Sequence, residues 1–188
     1  MARVPAILLG LLAAGCAAPD GTGARRPYQG VVRVIPGTIE AEDFDEGGEG
    51  IAYHDLEPQN LEKKLPPYRE SGVDLEWRED ASGKFNLGWT RPGEWLVYTV
   101  EVREAGTYTI EMMVACNKRG GTFHLEFDGV DRTGPVEVPD TGGWTNLKPF
   151  SKSGVTLPAG RFAMKLVLDQ GGEKGSIGDI DYFRFVKP

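Results

Sequence analysis

Thr38-Ile39-Glu40-Ala41-Glu42-Asp43-Phe44 alternates apolar and acidic side chains, and the reading of this stretch decides the fold. A β-strand sends successive side chains to opposite faces, so Glu40 and Glu42 are expected to point the same way. Two carboxylates so close repel each other unless they are solvated or neutralised. Two environments meet that condition. One is a hard cation such as Ca²⁺, which takes several oxygen ligands in irregular geometry. The other is an edge strand whose acidic face meets water. Both make the stretch a strand.

Outward from it, the chain repeats the pattern. Val31–Ile35 and Val73–Trp77 read as short strands. Glu94–Val102 and Thr107–Cys116 are long alternating runs, and Glu104-Ala105-Gly106 between them reads as a hairpin. Gly121–Phe127 places Phe123, Leu125 and Phe127 on one face before the tight turn Asp128-Gly129. Trp144–Phe150, Gly154–Leu157, Arg161–Asp169 (Phe162, Met164, Leu166 and Leu168 inward) and Ile180–Phe185 complete the series. No segment carries helical periodicity. The expected fold is all-β, an antiparallel two-sheet sandwich. Trp95, Tyr98, Tyr108, Phe123, Phe127, Phe183 and Phe185 are its expected core aromatics. Asp45–Glu70 is a long irregular stretch of the kind that carries function.

The 188 residues carry a formal charge of −7, with no basic cluster beyond Arg25-Arg26. Nucleic acid, which requires a positive surface, is excluded as a partner. Residues 1–16 read as a signal peptide: Arg3, then the apolar run Ala6–Leu12, too short for a membrane span. Ala13-Ala14-Gly15-Cys16 is similar to the lipobox of bacterial lipoproteins, which implies cleavage before Cys16 and its acylation. An ordinary secretory signal is the alternative, and either one exports the protein. Residues 17–30, small, polar and broken by proline and glycine, read as a flexible tether. Residues 31–188 form the domain. Cys116 then has no partner and reads as a small buried hydrophobe.

Several segments taken together resemble carbohydrate-binding module family 6, a lectin-like group with a jelly-roll β-sandwich. They are Ile39–Phe44, Gly72–Glu76, Asn86–Thr90, Gly93–Val100, Ala105–Tyr108, Asp140–Trp144 and Gly178–Phe183. The resemblance implies a structural Ca²⁺ held by Glu40, Glu42 and Asp181, completed by a backbone carbonyl near Arg69–Ser71. It also implies a sugar site in loops at one end of the sandwich, with Trp89 and Trp144 as stacking rings and Asp179 as the polar group. Each tryptophan follows a glycine in a turn-rich segment. An indole offers the flat surface that the C–H face of a pyranose needs, and a few placed polar groups hold its hydroxyls. Glu94 is a further hydroxyl acceptor by position, and Tyr53, Asp55 and Asn60 in the long loop are expected subsite contacts. The family usually has asparagine where this chain has Asp179, and an ionised carboxylate accepts hydrogen bonds but donates none.

The implied function is non-catalytic binding of a polysaccharide at the bacterial cell envelope. The glycan is β-glucan, xylan or agar-type, with β-1,3-glucan first. The membrane is met through the lipid anchor only, and a separate glycoside hydrolase is a possible partner. Two alternatives stand beside it: a small glycoside hydrolase, which needs two carboxylates at a set separation, and a structural or interaction sandwich that binds no sugar.

Overall fold

The structure, a computed structural model, describes residues 23–62 and 67–188. The expected signal peptide, Cys16 and the first part of the expected tether lie outside the described residues.

Thirteen strands are present among the described residues: β1 (Arg33–Ile35), β2 (Gly37–Glu40), β3 (Tyr53–His54), β4 (Leu75–Trp77), β5 (Phe85–Leu87), β6 (Trp95–Val102), β7 (Gly106–Cys116), β8 (Thr122–Phe127), β9 (Val130–Asp131), β10 (Val136–Glu137), β11 (Gly143–Leu157), β12 (Gly160–Gln170) and β13 (Asp179–Val186). One sheet runs β1-β6-β12-β8-β10, with β3 on β6 and β9 on β8. The other runs β11-β7-β13-β5-β4, with β2 on β13. The expected two-sheet β-sandwich is therefore present, with one departure: β1 pairs parallel to β6, Arg33 opposite Val100.

The core forms where the inner faces meet. Phe123, Leu125 and Phe127 of β8, Met164, Leu166 and Leu168 of β12, and Phe183 and Phe185 of β13 are buried there. Phe183 meets Tyr98 and Phe123 edge-on, with centroids 6.4 and 6.1 Å away. Burying such a side chain is worth about 1.5–3 kcal/mol, so this aromatic layer carries much of the stability. The Tyr98 hydroxyl donates to the Ala41 carbonyl at 2.8 Å, which pins the acidic stretch to the core.

Four expectations are corrected. Glu104-Ala105-Gly106 does not close a hairpin, because β6 and β7 belong to different sheets and the turn carries the chain across the sandwich. Trp95 is not core: it lies half-buried on the outer face of its sheet, under the Lys165 ammonium (4.3 Å) and beside the His54 ring. Glu42 is not on a strand with Glu40, since β2 ends at Glu40 and Ala41-Glu42 turns, the Asp43 amide bonding the Glu40 carbonyl at 3.1 Å. Residues 25–30 are not free tether. Arg26 and Glu46 exchange backbone hydrogen bonds of 3.0 and 2.8 Å, and Arg25 pairs with the buried Asp45 at 3.0 Å. The Arg69 guanidinium sits between the Tyr28 and Phe44 rings, 4.4 and 3.8 Å from their centroids, where it gains from both π faces.

Candidate functional site

A groove of about 640 Å³ opens at one end of the sandwich, lined by Glu76, Trp89, Thr90, Arg91, Trp144, Lys174, Gly175, Ser176 and Asp179. Three strand ends build it. β5 runs into the loop carrying Trp89, β11 begins beside Trp144, and β13 begins at Asp179. Trp89 is 41% exposed and stands at φ +46°, a left-handed backbone that costs a non-glycine residue on the order of 1 kcal/mol. Thr90, fully buried beside it, holds that conformation. Its hydroxyl donates to the Gly178 carbonyl at 2.8 Å and accepts from the Gly178 amide at 3.0 Å, tying the Trp89 loop to the loop before β13.

Asp179 lies deep in the groove, only 5% exposed. Burial, reinforced by the nearby Glu76 carboxylate and opposed by the Arg78 guanidinium, pushes its pKa up to about 8. The protonated form favoured there can donate one hydrogen bond, which an ionised carboxylate cannot.

The structure brings together Trp89, Trp144 and Asp179, and leaves the other four expected contacts outside the groove lining. The Glu94 carboxylate is occupied by the Arg91 amide at 2.8 Å and the Leu56 amide at 3.4 Å. Burial and the Asp55 and Glu57 charges push its pKa up to about 7 against those hydrogen bonds. The Tyr53 hydroxyl accepts from the Gly72 amide at 3.1 Å, and its ring packs edge-on to Phe44. Asn60 donates to the Leu75 carbonyl and accepts from the Glu62 amide, so it shapes its own loop. Asp55 accepts from the Glu57 amide at 2.8 Å and is crowded by Asp74 and Glu57, all three with carboxylate oxygens within 4.8 Å of one another.

Glu76, Arg91, Lys174 and Ser176 were not singled out by the sequence reading. Glu76 sits mid-strand between buried Leu75 and exposed Trp77. Lys174-Gly175-Ser176 precedes the strand that bears Asp179, and that adjacency is the signal which points to them.

The acidic stretch builds a second arrangement. Glu42 and Asp181 are each 1% exposed. Glu40 Oε1 accepts from the Ser82 hydroxyl at 2.9 Å and Asp181 Oδ2 from the Ser82 amide at 3.1 Å. The remaining oxygens Glu40 Oε2, Glu42 Oε2 and Asp181 Oδ1 are buried with no hydrogen-bond partner. Burial and the mutual charges of Glu40, Asp43 and Asp181 push Glu42 up to about 9. Burial, with Glu40 adding to it, raises Asp181 to about 7. Three orphaned carboxylate oxygens are the hard donor set that a divalent cation takes, so the residues fit the Ca²⁺ implied by the family resemblance. The backbone against them is the Ala81–Lys84 turn, where a Cβ on Gly83 would stand 2.6 Å from Glu42 Oε1. The Arg69 guanidinium donates to the Glu42 and Asp45 carbonyls at 3.3 and 3.2 Å, and to that of Phe44 between them.

A β-sandwich whose end loops present two indoles and a buried carboxyl in one groove has the form of a sugar-binding module. The sequence model of carbohydrate binding module family 6 matches residues 67–187, and the chain belongs to that family of non-catalytic, polysaccharide-binding modules. A curated relative, the clotting factor G alpha subunit of Tachypleus tridentatus, is 29% identical over 105 residues, 55% of this chain and 16% of its own length. The chain therefore spans about a sixth of that relative. Among solved structures, a β-1,3-glucan-binding module from Bacillus halodurans is 22% identical at a TM-score of 0.62, covering 84% of this chain and 100% of its own. The C-terminal module of LamC, a marine laminarinase from Zobellia galactanivorans, is 25% identical at 0.58, covering 80% and 98%. A module from Cellvibrio mixtus lichenase 5A, in complex with cellotriose, is 24% identical at 0.59, covering 82% and 98%.

Proposed function

We propose that the groove between Trp89 and Trp144 is the polysaccharide site, that it takes a β-glucan, and that a β-1,3-linked chain is its first ligand. The observation that carries this reading is the convergence of two indoles and the deep Asp179 on one open groove. The rings supply flat apolar surface for the sugar faces, and Asp179, Glu76 and Ser176 supply hydrogen bonds for hydroxyls. The β-1,3-glucan-binding and cellotriose-bound neighbours support the choice of glucan. Affinity per site is expected to be modest, because sugar hydroxyls exchange water for protein contacts at little net gain.

Ca²⁺ at Glu40, Glu42 and Asp181 is part of the reading. It would tie the turn after β2 to β13 and the Ala81–Lys84 turn, and it is structural. The chain itself makes and breaks no bonds, and a separate glycoside hydrolase is the partner that benefits from its grip. Export, with Cys16 acylated, places the module at the cell envelope.

Isothermal titration with laminari-, cello-, xylo- and agaro-oligosaccharides tests the proposal, run beside a reducing-end assay on the same mixtures. Binding of a laminari-oligosaccharide without new reducing ends is the expected result. Release of reducing ends would overturn it in favour of hydrolysis, and silence toward every glycan would overturn sugar binding.

A further inference from the structure

We propose that Arg78 is a positioning residue of the sugar groove, holding the Trp144 backbone in place beside Glu76. The inference rests on the reading of the groove given above.

Trp144 lies where β11 has lost its ladder. In the pairing of β11 with β7, Gly143 is opposite Cys116 and the next matched residue is Lys148, opposite Val114. The intervening residues, Trp144 to Leu147, have no partner in that register, so the sheet does not set the ring's backbone. Arg78 does. Its side chain is 94% buried, at 6% exposure, just past β4. Nη1 donates to the Trp144 carbonyl at 2.6 Å across 66 residues of sequence. Nε and Nη2 grip both oxygens of Asp80 at 3.0 and 2.9 Å, which locks the guanidinium plane. The same Nη1 lies 3.9 Å from Glu76 Oε2, a carboxylate that also lines the groove. One rigid fork thus reaches a carboxylate anchor, the carbonyl of one stacking residue and a second acid of the groove lining. A lysine has a single point charge and cannot satisfy the three directions together.

The test compares Arg78→Lys and Asp80→Asn with Val155→Ala, a destabilising control at the far end of β11, where Val155 pairs with Tyr108. For each, the affinity for whichever of laminari-, cello- or xylohexaose the wild type binds is measured well below the melting midpoint. The indole ¹H–¹⁵N resonance of Trp144 is recorded without ligand. Arg78→Lys is expected to weaken binding by about tenfold or more and to shift or split the Trp144 resonance. Asp80→Asn should move that resonance in the same direction by less. Val155→Ala should melt earlier yet keep both affinity and resonance. A folded Arg78→Lys protein with an unmoved Trp144 resonance overturns the proposal, as does a moved resonance with wild-type affinity. Should Arg78→Lys not fold, an unmoved resonance in Asp80→Asn overturns it. A wild type that binds no glycan overturns the function reading and the affinity claim together, while the resonance still reports whether Arg78 sets Trp144.

Discussion

Replacing Glu42 by glutamine removes one ionisable group from the buried carboxylates and leaves the shape of the side chain almost unchanged. Without metal, the fold holds the Glu42 carboxyl protonated up to about pH 9, against 4.5 for a free glutamate. Keeping that proton at pH 7 costs the fold about 3 kcal/mol. Glutamine is neutral at no such cost, so in EDTA Glu42→Gln should be the more stable protein by about 2–3 kcal/mol. For a domain of this size that raises the melting midpoint by roughly 4–10 °C. With calcium the sign reverses. A cation at about a thousand times its dissociation constant stabilises the wild type by about 4.1 kcal/mol, more than the roughly 2–3 kcal/mol by which the variant leads without metal. Loss of an anionic ligand removes most of that gain. Melting curves of both proteins, in EDTA and in millimolar CaCl₂, should therefore cross: variant above wild type without metal, below it with metal. A Glu42→Gln shift of the same sign in both buffers would refute the reasoning, and so would a wild-type midpoint that calcium leaves unmoved.

Trp89→Ala should weaken glycan binding by about 1.5–3 kcal/mol, roughly tenfold to a hundredfold by titration calorimetry. Its stability should change little, because the ring is 41% exposed. Asn60→Ala and Tyr53→Phe should bind glycan within about twofold of wild type; Tyr53→Phe should lose about 1 kcal/mol of stability, since the Gly72 amide loses its acceptor. A weakened affinity in either would return the long loop to the site. His124 gives a pH prediction. Burial opposes its charge, but the hydrogen bond and charge of Asp169, with Glu126 added, outweigh it and raise the folded-state pKa. The stabilisation is complete below the unfolded value near 6.5 and is lost as pH rises through the folded value. His124→Asn should therefore cost on the order of 0.5–1 kcal/mol at pH 5.5 and much less at pH 9, read from denaturation curves; an equal loss at both would sink this account.

The strands of the sandwich were legible because alternation is a one-dimensional property: Phe123, Leu125 and Phe127 had to share a face whatever they met. Which sheet a strand joins was not. The short segment between β6 and β7 looks like a hairpin turn, yet it crosses between layers because the Arg103 amide bonds the Ile35 carbonyl of β1 and the Tyr108 hydroxyl bonds the Glu104 carbonyl. Trp95 alternates as a core residue would, but only the neighbours on its face, Lys165 and His54, reveal that this face is outward. In the site, glycine-flanked Trp89 and Trp144 and the strand-leading Asp179 could be read from the family pattern. Glu94 lies outside the groove lining, and the sequence could not tell this, because a carboxylate that caps nearby amides has the same sequence appearance as one that faces a ligand. Arg78 escaped notice for a related reason: its partner, Trp144, is 66 residues away, and nothing local distinguishes it from a solvated arginine.

The docked segment around Arg25 and Arg26 would set how far the module could stray from a surface under the proposed lipid anchoring. Were Cys16 the point of attachment, roughly nine residues would separate it from Arg25, the first among the described residues whose side chain is gripped by the body, through Asp45. Fully stretched, that length spans about 30 Å, close to the diameter of a small domain. The sandwich would ride against the bilayer like a buoy on a short chain, sampling glycan that reaches the membrane face rather than sweeping the space beyond it.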